Sequence, residues 1–284
     1  MLIAVDIGNT NTSLAVMNGE TVVTSESVKT GLRGCYEKRL TRALREIAGG
    51  RRRAQGNKDA AADEIVICSV VPKALTIAKR CVSKVFKVSP KVIGKDIIVP
   101  IHNKYKDPDQ VGQDRLLCAY AAVRFYGVPA VVVDLGTAMT FDVVSRRAKA
   151  GPADYLGGMI VPGIRLSAEA LYEKTALLPQ IEIRQPKRLI GRTTQESMLS
   201  GIFYGYGEMI RGLIGLLCRQ LKQEPRVIVT GGFSQLMRRY VACADCVVDQ
   251  DLIFKGMAAL CAETAQRKSV PIKQSRQRSR GGSK

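Results

Sequence analysis

Small polar residues follow a short apolar run at the amino terminus. Residues 2–5 are apolar and partly β-branched, which predicts a buried strand, and Asp6, Gly8 and the Asn and Thr residues at 9–12 come directly after it. A glycine turn lets the backbone approach a ligand, and the small side chains can donate hydrogen bonds to phosphate oxygens. Because the Asp6 carboxylate would repel phosphate, a cation has to lie between them, and hydrated Mg²⁺ fits that need. The alternative is a Gly-Asn hairpin whose turn Asp6 caps.

A second copy of this pattern lies near the middle of the chain. VDLGTAMTFDVV at 133–144 repeats the spacing of VDIGNTNTSLAV at 5–16. The copies match three polar or glycine positions: Asp6 with Asp134, Gly8 with Gly136, and Thr12 with Thr140. The repeat indicates two duplicated halves. Two such turns that face each other across a cleft could hold the phosphates of one nucleotide from both sides.

A polar segment precedes a third chemical motif, the sequence VGQDR at 111–115. Helical spacing begins at Arg115, so Gly112, Gln113 and Asp114 should lie at a helix N-terminus, where free N–H groups bind anions. Asp114 is a good N-cap on one interpretation, which we favour for the residue taken alone. On the other it is a carboxylate in a cleft that takes a proton from a hydroxyl nucleophile. Arg115 could grip a carboxylate in a fork geometry.

Two further glycine or threonine motifs lie in the second half. GRTT at 191–194 precedes a long helix, so Thr193 or Thr194 should be its N-cap. The diglycine at 231–232 follows a strand and precedes a helix. It could receive an adenine and ribose edge, or it could be a tight strand–helix turn.

The elements that position these motifs alternate along each half. In the first half we expect strands at 2–5, 12–17, 20–27, 64–71 and 91–99, helices at 36–47 and 73–86, and an exposed loop at 51–62. In the second half we expect strands at 129–134, 141–145, 154–162, 226–230 and 246–249, helices at 115–126, 163–172, 195–222 and 252–263, and a loop with a short strand at 177–188. This order indicates an α/β fold of two domains with mixed sheets.

Composition limits the class of protein. The 284 residues are 46% hydrophobic and 24% charged, which suits one large or two medium globular domains. No apolar run is long enough to span a bilayer, and the N-terminus enters a strand directly, so we expect neither membrane contact nor a signal peptide. We therefore expect a cytoplasmic protein.

Eight cysteines are scattered along the chain. Without a secretory signal, they are expected to be free thiols in a reducing compartment. Cys243 and Cys246 form a single C-x-x-C motif, but a zinc site would need a second pair of ligands, and His102 is the sole histidine. We favour buried thiols over a redox or zinc site.

The formal net charge is +19. Part of it lies in Arg51–Arg53 and in the segment 267–284, which has seven Lys or Arg residues and no acid. We favour a solvated basic tail, disordered from 268 onward, over weak contact with nucleic acid. No aromatic residues are interleaved with these charges, so nothing predicts sequence-specific recognition.

Taken together and in order, the motifs resemble those of type III pantothenate kinases, members of the acetate and sugar kinase, Hsp70 and actin superfamily. The resemblance covers roughly residues 1–265. It is carried by DIGNTNTS at 6–13, SVVP at 69–72, the run from Tyr105 through VGQDR, VDLGTAMT at 133–140, YLGGMIVPG at 155–163, GRTTQES at 191–197 and VTGGF at 229–233. One departure is Asp107-Pro108, where the family usually has Asn-Pro.

The resemblance implies a fold, an activity and a set of site residues. The fold would be two duplicated ribonuclease H-like (actin-like ATPase) domains with a cleft between them, at 1–114 and 115–265, followed by a basic tail at 266–284. The activity would be phosphorylation of pantothenate by ATP, the first committed step toward coenzyme A, in a cytoplasmic homodimer that uses Mg²⁺ and potassium or ammonium.

The implied ATP contacts are Asp6, Ile7, Gly8, Asn9, Thr10, Asn11, Thr12, Ser13 and Thr137. The implied pantothenate contacts are Tyr105, Gly112, Gln113, Asp114, Arg115 and, from the partner subunit, Thr194. Asp114 would be the proton acceptor, Asp134 the monovalent-cation ligand, and Asp6 a ligand of Mg²⁺ through water. The alternatives are another sugar or acyl kinase of the superfamily, and a non-catalytic relative that uses its basic tail.

Overall fold

The computed structural model describes residues 1–32, 34–55, 64–147, 151–241 and 246–269. Its amino-terminal half contains a five-stranded sheet. The elements of this half are β1 (Leu2–Ile7), β2 (Asn11–Asn18), β3 (Thr21–Lys29), α1 (Gly34–Gln55), β4 (Glu64–Ser69), α2 (Pro72–Phe86) and β5 (Lys91–Val92). The strands lie in the order β3-β2-β1-β4-β5. The hairpin pairs are antiparallel, and β4 and β5 are parallel to β1.

The second half contains a six-stranded sheet in the order β11-β10-β7-β8-β9-β6. Its elements are β6 (His102–Asn103), a 3₁₀ turn (Pro108–Gln110), α3 (Gln113–Tyr126), β7 (Ala130–Leu135), β8 (Ala138–Ser145), β9 (Asp154–Pro162), α4 (Ile164–Lys174), α5 (Thr194–Leu221), β10 (Arg226–Thr230), α6 (Ser234–Val241), β11 (Cys246–Val248) and α7 (Leu252–Ser269). Without β6, this order and its strand directions repeat those of the first sheet.

An irregularity common to both sheets confirms the duplicated halves. The pairing between β2 and β3 shifts between Val16 and Met17, and the pairing between β8 and β9 shifts between Val143 and Val144. Counted from the start of β2 in the first half and of β8 in the second, the two shifts lie at the same position. The fold is therefore the duplicated actin-like ATPase architecture, with one mixed sheet in each half.

The register corrects one of the matches made from the sequence. Asp6 lies opposite Ser13, whereas Asp134 lies opposite Thr140. Thr140 is therefore equivalent to Ser13, and its match with Thr12 is wrong. The physical reason is that the turn after β7 is one residue shorter than the turn after β1.

Two helices form a shared layer between the sheets. One core cluster joins inward side chains of the first sheet, such as Ala4 and Val66, to α3 and α7. Another joins Ala130 and Val132 of the second sheet to the same two helices. The outer faces pack against α1 and α2 in the first half and against α4, α5 and α6 in the second. This layering fixes which face of each strand can reach α3.

Several predicted boundaries were wrong. Helix α1 continues through the diglycine at 49–50 to Gln55, because buried Leu40, Leu44 and Ile47 anchor the helix on the sheet and outweigh a cost of about 1 kcal/mol per glycine. Residues 56–62 of the predicted loop lie outside the described residues. Helix α7 likewise continues to Ser269, past the predicted start of the basic tail at 266, and 270–284 are not described.

Two predicted strands differ as well. Of 91–99 only Lys91–Val92 is a strand, followed by an isolated bridge between Ile93 and Ile97, because Gly94 has a positive φ and Asp96 accepts the Val92 N–H to form a local turn. Within 177–188, all of which the structure describes, no strand forms.

Six of the described cysteines are free thiols: Cys35, Cys68, Cys81, Cys118, Cys218 and Cys261. Cys246 is disulfide-bonded, so the expectation of free thiols was wrong for this residue. That expectation rested on the missing secretory signal and on the missing second pair of metal ligands, and neither of these excludes a disulfide. Cys243 lies outside the described residues. In the described part of the chain, no helix has the length and apolar character needed to cross a bilayer.

Candidate functional site

Strand alternation places Asp6 on the inner face of the first sheet. Ile3, Val5 and Ile7 of β1 pack in the outer core against α1 and α2, whereas Ala4 packs toward α3 and α7. Because successive side chains of a strand point to opposite faces, Asp6 points inward with Ala4. It lies near the carboxyl end of β1, at the edge of the central layer.

The same reasoning places Asp134 opposite. In β7, Val131 and Val133 pack outward, whereas Ala130 and Val132 pack toward α3 and α7. Asp134 therefore also points into the central layer. The N-terminus of α3 supplies a third carboxylate, Asp114, as the second residue of that helix.

These three carboxylates form a half-buried acid cluster. Burial raises the pKa of Asp6 to about 8, with a smaller contribution from repulsion by Asp114 and Asp134. Burial, and then repulsion by Asp114 and Asp142, raises the pKa of Asp134 to about 7. The pKa of Asp114 is also raised, chiefly by burial. A cluster of this kind holds either protons or cations at neutral pH.

Asp114 is not the N-cap of α3, so the interpretation that we favoured for this residue alone was wrong. Gly112 occupies the cap position and provides no side-chain hydrogen bond. Asp114 lies inside the first turn, where its Oδ1 accepts the N–H of Arg115 at 2.8 Å. A Cβ on Gly112 would come within 2.4 Å of that same oxygen, so the glycine makes room for the carboxylate.

The turn after β1 is held in a fixed shape. The N–H of Gly8 donates to Asn11 O at 3.0 Å, which closes the hairpin that the alternative interpretation predicted. Thr30 Oγ1 donates to Gly8 O at 2.8 Å. At the tip, Thr10 Oγ1 lies 2.7 Å from Thr137 Oγ1 of the second turn. The two glycine turns therefore meet directly at the opening of the cleft.

Around the second turn the backbone packs so closely that two glycine positions have no space for a side chain. A Cβ on Gly231, whose φ is +89°, would lie 2.2 Å from Asp134 Oδ1. A Cβ on Gly163 would lie 2.2 Å from Thr137 O. The tight-turn interpretation of the diglycine therefore holds for Gly231, whereas the position of a Cβ on Gly232 is open space. The backbone at Gly231 lies close enough to Asp134 to form one side of the acid cluster.

The structure brings together some of the sequence-predicted site residues: Asp6, Gly8, Thr10, Asp114, Asp134 and Thr137. Asn9 and Asn11 are exposed on the first turn. Ser13 Oγ lies 3.4 Å from Ser27 Oγ.

Three other predicted residues have their side chains engaged elsewhere. Ile7 is buried in the outer core. The hydroxyl of Thr12 is buried and contacts Tyr36 Oη at 2.7 Å. The Gln113 side chain lies against Gly94, leaving no space for a Cβ there. Thr194 is exposed as the first residue of α5, and Thr193 is the N-cap, accepting the Glu196 N–H at 3.2 Å.

Sequence reasoning missed the partner of Arg115. Arg115 Nε donates to Asp142 Oδ1 at 2.8 Å, and Asp142 is 1% exposed. The Tyr155 hydroxyl donates to the same carboxylate oxygen. Tyr105 also belongs to this group, because its ring centre lies 6.2 Å from that of Tyr155. The sequence did contain a signal. Asp142 lies two residues after Thr140 on β8, so both side chains point to the same inner face of the sheet.

The donor set fits cations held partly through water. Three half-buried carboxylates with raised pKa values are stabilised by positive charge. Among the described residues, however, no group of three or more His, Cys, Asp or Glu side chains is arranged to hold a metal ion directly. The cluster therefore suits a hydrated divalent ion better than an all-protein cage, as is usual for Mg²⁺ on phosphates.

Two duplicated halves, glycine turns that meet across a cleft, and a half-buried carboxylate at a helix N-terminus are the features expected of a phosphotransferase of the actin-like ATPase superfamily. The family model described as type III pantothenate kinase matches residues 2–215. A type III pantothenate kinase of Halalkalibacterium halodurans is 38% identical over 257 residues, which cover 90% of this chain and 97% of that protein. The chain belongs to the type III pantothenate kinase family.

A solved structure supports the fold. Component A of (R)-2-hydroxyglutaryl-CoA dehydratase from Acidaminococcus fermentans superimposes with a TM-score of 0.51 at 12% identity, covering 94% of this chain and 98% of that one. The ethanolamine utilization protein EutJ from Carboxydothermus hydrogenoformans gives a TM-score of 0.49 at 14% identity, covering 91% and 89%.

Proposed function

We propose that this protein transfers the γ-phosphoryl group of ATP to the primary hydroxyl of pantothenate, with Asp114 as the general base. The observation that carries the assignment is the convergence of Asp6, Asp114 and Asp134 beneath the two glycine turns. Pantothenate kinase activity is that of the family, and the first step of coenzyme A biosynthesis follows from it.

The proposed chemistry is an in-line displacement. The hydroxyl oxygen of pantothenate forms a bond to the γ-phosphorus while the bond from that phosphorus to the β–γ bridging oxygen breaks, which leaves ADP. Asp114 accepts the hydroxyl proton. Its pKa, which burial raises above the ordinary value, suits this role, because a more basic carboxylate holds the transferred proton more firmly.

The remaining roles concern positioning and charge. Thr10 and Thr137 offer hydroxyl donors to the phosphates from opposite sides of the cleft, and Gly8 lets the backbone of the first turn approach them. Mg²⁺, when bound, neutralises charge on the β- and γ-phosphates, and Asp6 would hold it through water. Asp134 would hold potassium or ammonium, which replaces the lysine that a P-loop would supply. Arg115 and Tyr105 would line the pantothenate side, with Arg115 receiving the carboxylate.

The proposed homodimer has a candidate surface. A cavity of about 780 Å³ lies between α4 and α5 and is lined mostly by apolar side chains, among them Leu166, Met198 and Ile202. Nearby in sequence, Leu177 is 90% exposed and Ile190 is 80% exposed, which is unusual for large apolar residues. Thr194 lies on the same helix as part of this lining, consistent with its proposed contact to the partner's pantothenate. A cytoplasmic location accords with this metabolic role.

ATP turnover with and without pantothenate, first in potassium and then in sodium, tests the proposal. We expect ADP release that depends on pantothenate and is faster in potassium. Turnover that depends on another sugar or acyl acceptor, and not on pantothenate, would contradict the substrate assignment. Equal rates in both salts would contradict the role of Asp134.

A further inference from the structure

Asp142 is a buried carboxylate that the proposed reaction does not use. It lies on β8, its side chain is 1% exposed, and it accepts three hydrogen bonds. Arg115 Nε donates at 2.8 Å and Tyr155 Oη at 2.7 Å, both to Oδ1, and Thr140 Oγ1 donates to Oδ2 at 2.9 Å. A charge buried this deeply is costly unless it is paired, so the arrangement needs a reason beyond packing.

The duplication shows that packing does not require a polar residue there. Asp142 lies opposite Val132 in the second hairpin, and Ala15 lies opposite Ala4 in the first. These positions are equivalent, and Ala15 is a fully buried member of the apolar core. The fold therefore accepts an apolar residue at this place in the half without Arg115, and a carboxylate appears only where the arginine has to be held.

The contacts of Arg115 show which of its N–H groups can still bind a ligand. Its Nη2 is buried and forms an ion pair with Asp142 Oδ1 at 2.7 Å, on the same side of the guanidinium as Nε. The guanidinium is 6.0 Å from the centre of the Tyr155 ring and also bonds to Tyr105. The edge formed by Nε and Nη2 is thus fixed by Asp142, and the N–H groups that point away from Asp142 are left for another group.

We propose that Asp142 is a positioning residue, which fixes Arg115 so that the guanidinium N–H groups facing away from Asp142 receive the carboxylate of pantothenate. The inference rests on the proposed function, because it assigns a determinant of specificity to that same site. Since Arg115 follows Asp114 in α3, the same anchor sets where the substrate lies relative to the proton acceptor. Tyr155 and Thr140 act through Asp142 by holding its two oxygens.

The test is Asp142→Asn, which keeps the size of the side chain and removes its charge. We expect the KM for pantothenate to rise about 10- to 100-fold, as for loss of a residue that orients a ligand-binding group, with the KM for ATP unchanged. Pantothenol, in which an alcohol replaces the carboxylate, supplies the decisive comparison. Its KM should be the same in wild type and Asp142→Asn, because it has no carboxylate for Arg115 to receive.

Asp249→Asn is a matched control. Asp249 is also buried and accepts a tyrosine hydroxyl and a cation, Tyr126 Oη at 2.7 Å and Lys255 Nζ at 2.8 Å, but it does not contact Arg115. We expect Asp249→Asn to lower thermal stability and leave the KM for pantothenate unchanged. A merely structural role for Asp142 would make the two variants alike, or would raise the KM values of ATP, pantothenate and pantothenol together; either result would overturn the proposal.

If Asp142→Asn does not fold, the variant Tyr155→Phe tests the role of Asp142 instead. It removes one donor to Asp142 Oδ1 and keeps the ring that packs in the core. We expect a smaller rise in the KM for pantothenate, with pantothenol again unaffected, and no rise would overturn the proposal. Wild-type protein that fails to phosphorylate pantothenate would instead contradict the function itself, so the two failures are distinguishable.

Discussion

Thr10 Oγ1 and Thr137 Oγ1 lie 2.7 Å apart, although 127 positions separate them in the sequence. Each is at the tip of a glycine turn, one in each half of the duplicated fold. The contact connects the two turns at the opening above the acid cluster. A nucleotide whose phosphates enter there has to replace this hydrogen bond with contacts of its own to both hydroxyls.

Removing one of these hydroxyls should weaken ATP binding. We expect Thr137→Val, which keeps the shape of the side chain, to raise the KM for ATP about 2- to 10-fold, the loss of one hydrogen bond. Thr137→Ser should stay close to wild type because it keeps the hydroxyl. Steady-state kinetics with ATP as the varied substrate measures this. Equal KM values for both variants would show that the hydroxyl does not contact ATP.

Asp114→Asn should remove the proton acceptor with little change in shape. We expect kcat to fall about 10²- to 10⁴-fold, the usual cost of losing a general base. Asp109→Asn is the control, because Asp109 is exposed in the 3₁₀ turn that precedes the same helix. A fall in kcat of less than about tenfold for Asp114→Asn would rule out general-base catalysis by this residue.

The diglycine provides a neighbouring pair of variants. In Gly231→Ala the new methyl group would collide with Asp134 Oδ1 and strain a φ of +89°, whereas in Gly232→Ala it would enter open space. We expect Gly231→Ala to lose about 1–3 kcal/mol of stability and most of its activity, and Gly232→Ala to lose little of either. Urea unfolding and turnover assays measure the two effects. Similar losses in both variants would mean that Asp134 moves freely and that Gly231 does not shape its site.

The acid cluster should make the ligand-free protein less stable as pH rises. The pKa of Asp6 is about 8 in the folded protein, against an ordinary value of 3.8. Between these values the folded state holds a proton that the unfolded chain has released, so the free energy of unfolding falls with increasing pH. The contribution of Asp134, whose pKa is raised to about 7, remains in Asp6→Asn, whereas the contribution of Asp6 is lost in this variant. We expect its melting temperature to exceed that of wild type clearly at about pH 8 and less at about pH 5, while its activity is lost.

Thermal unfolding of both proteins across this range, without nucleotide or added metal, checks the prediction. A melting temperature that rises for Asp6→Asn by the same amount at every pH would reflect packing, and not the protonation of a crowded carboxylate.

Sequence alone located the acid cluster, because Asp6 and Asp134 follow apolar strands with the same spacing and strand alternation then sets their direction. It could not set the register of the second hairpin. A turn shorter by one residue moved Thr140 to the place of Ser13, and such a change leaves the sequence pattern almost intact. Register depends on which face is buried, and both faces of these strands are buried.

The role of Asp142 was also hidden for a physical reason. Its position in a strand of apolar residues indicates a core site, and only the approach of α3 brings Arg115 within reach. Contacts between distant elements of this kind are not encoded in local spacing. The extent of α1 was missed similarly, since its packing on the sheet, and not its local sequence, carries the helix past Gly49.

The last helix of the fold covers the first sheet. Phe254, Met257 and Leu260 of α7 share a core cluster with Ala4 and residues of its neighbouring strands. During synthesis, α3 can cover only part of the inner face of the amino-terminal sheet, and the rest stays uncovered until α7 has left the ribosome. The amino-terminal half therefore completes its core only with α7, and a fragment that lacks this helix would expose an apolar face open to aggregation.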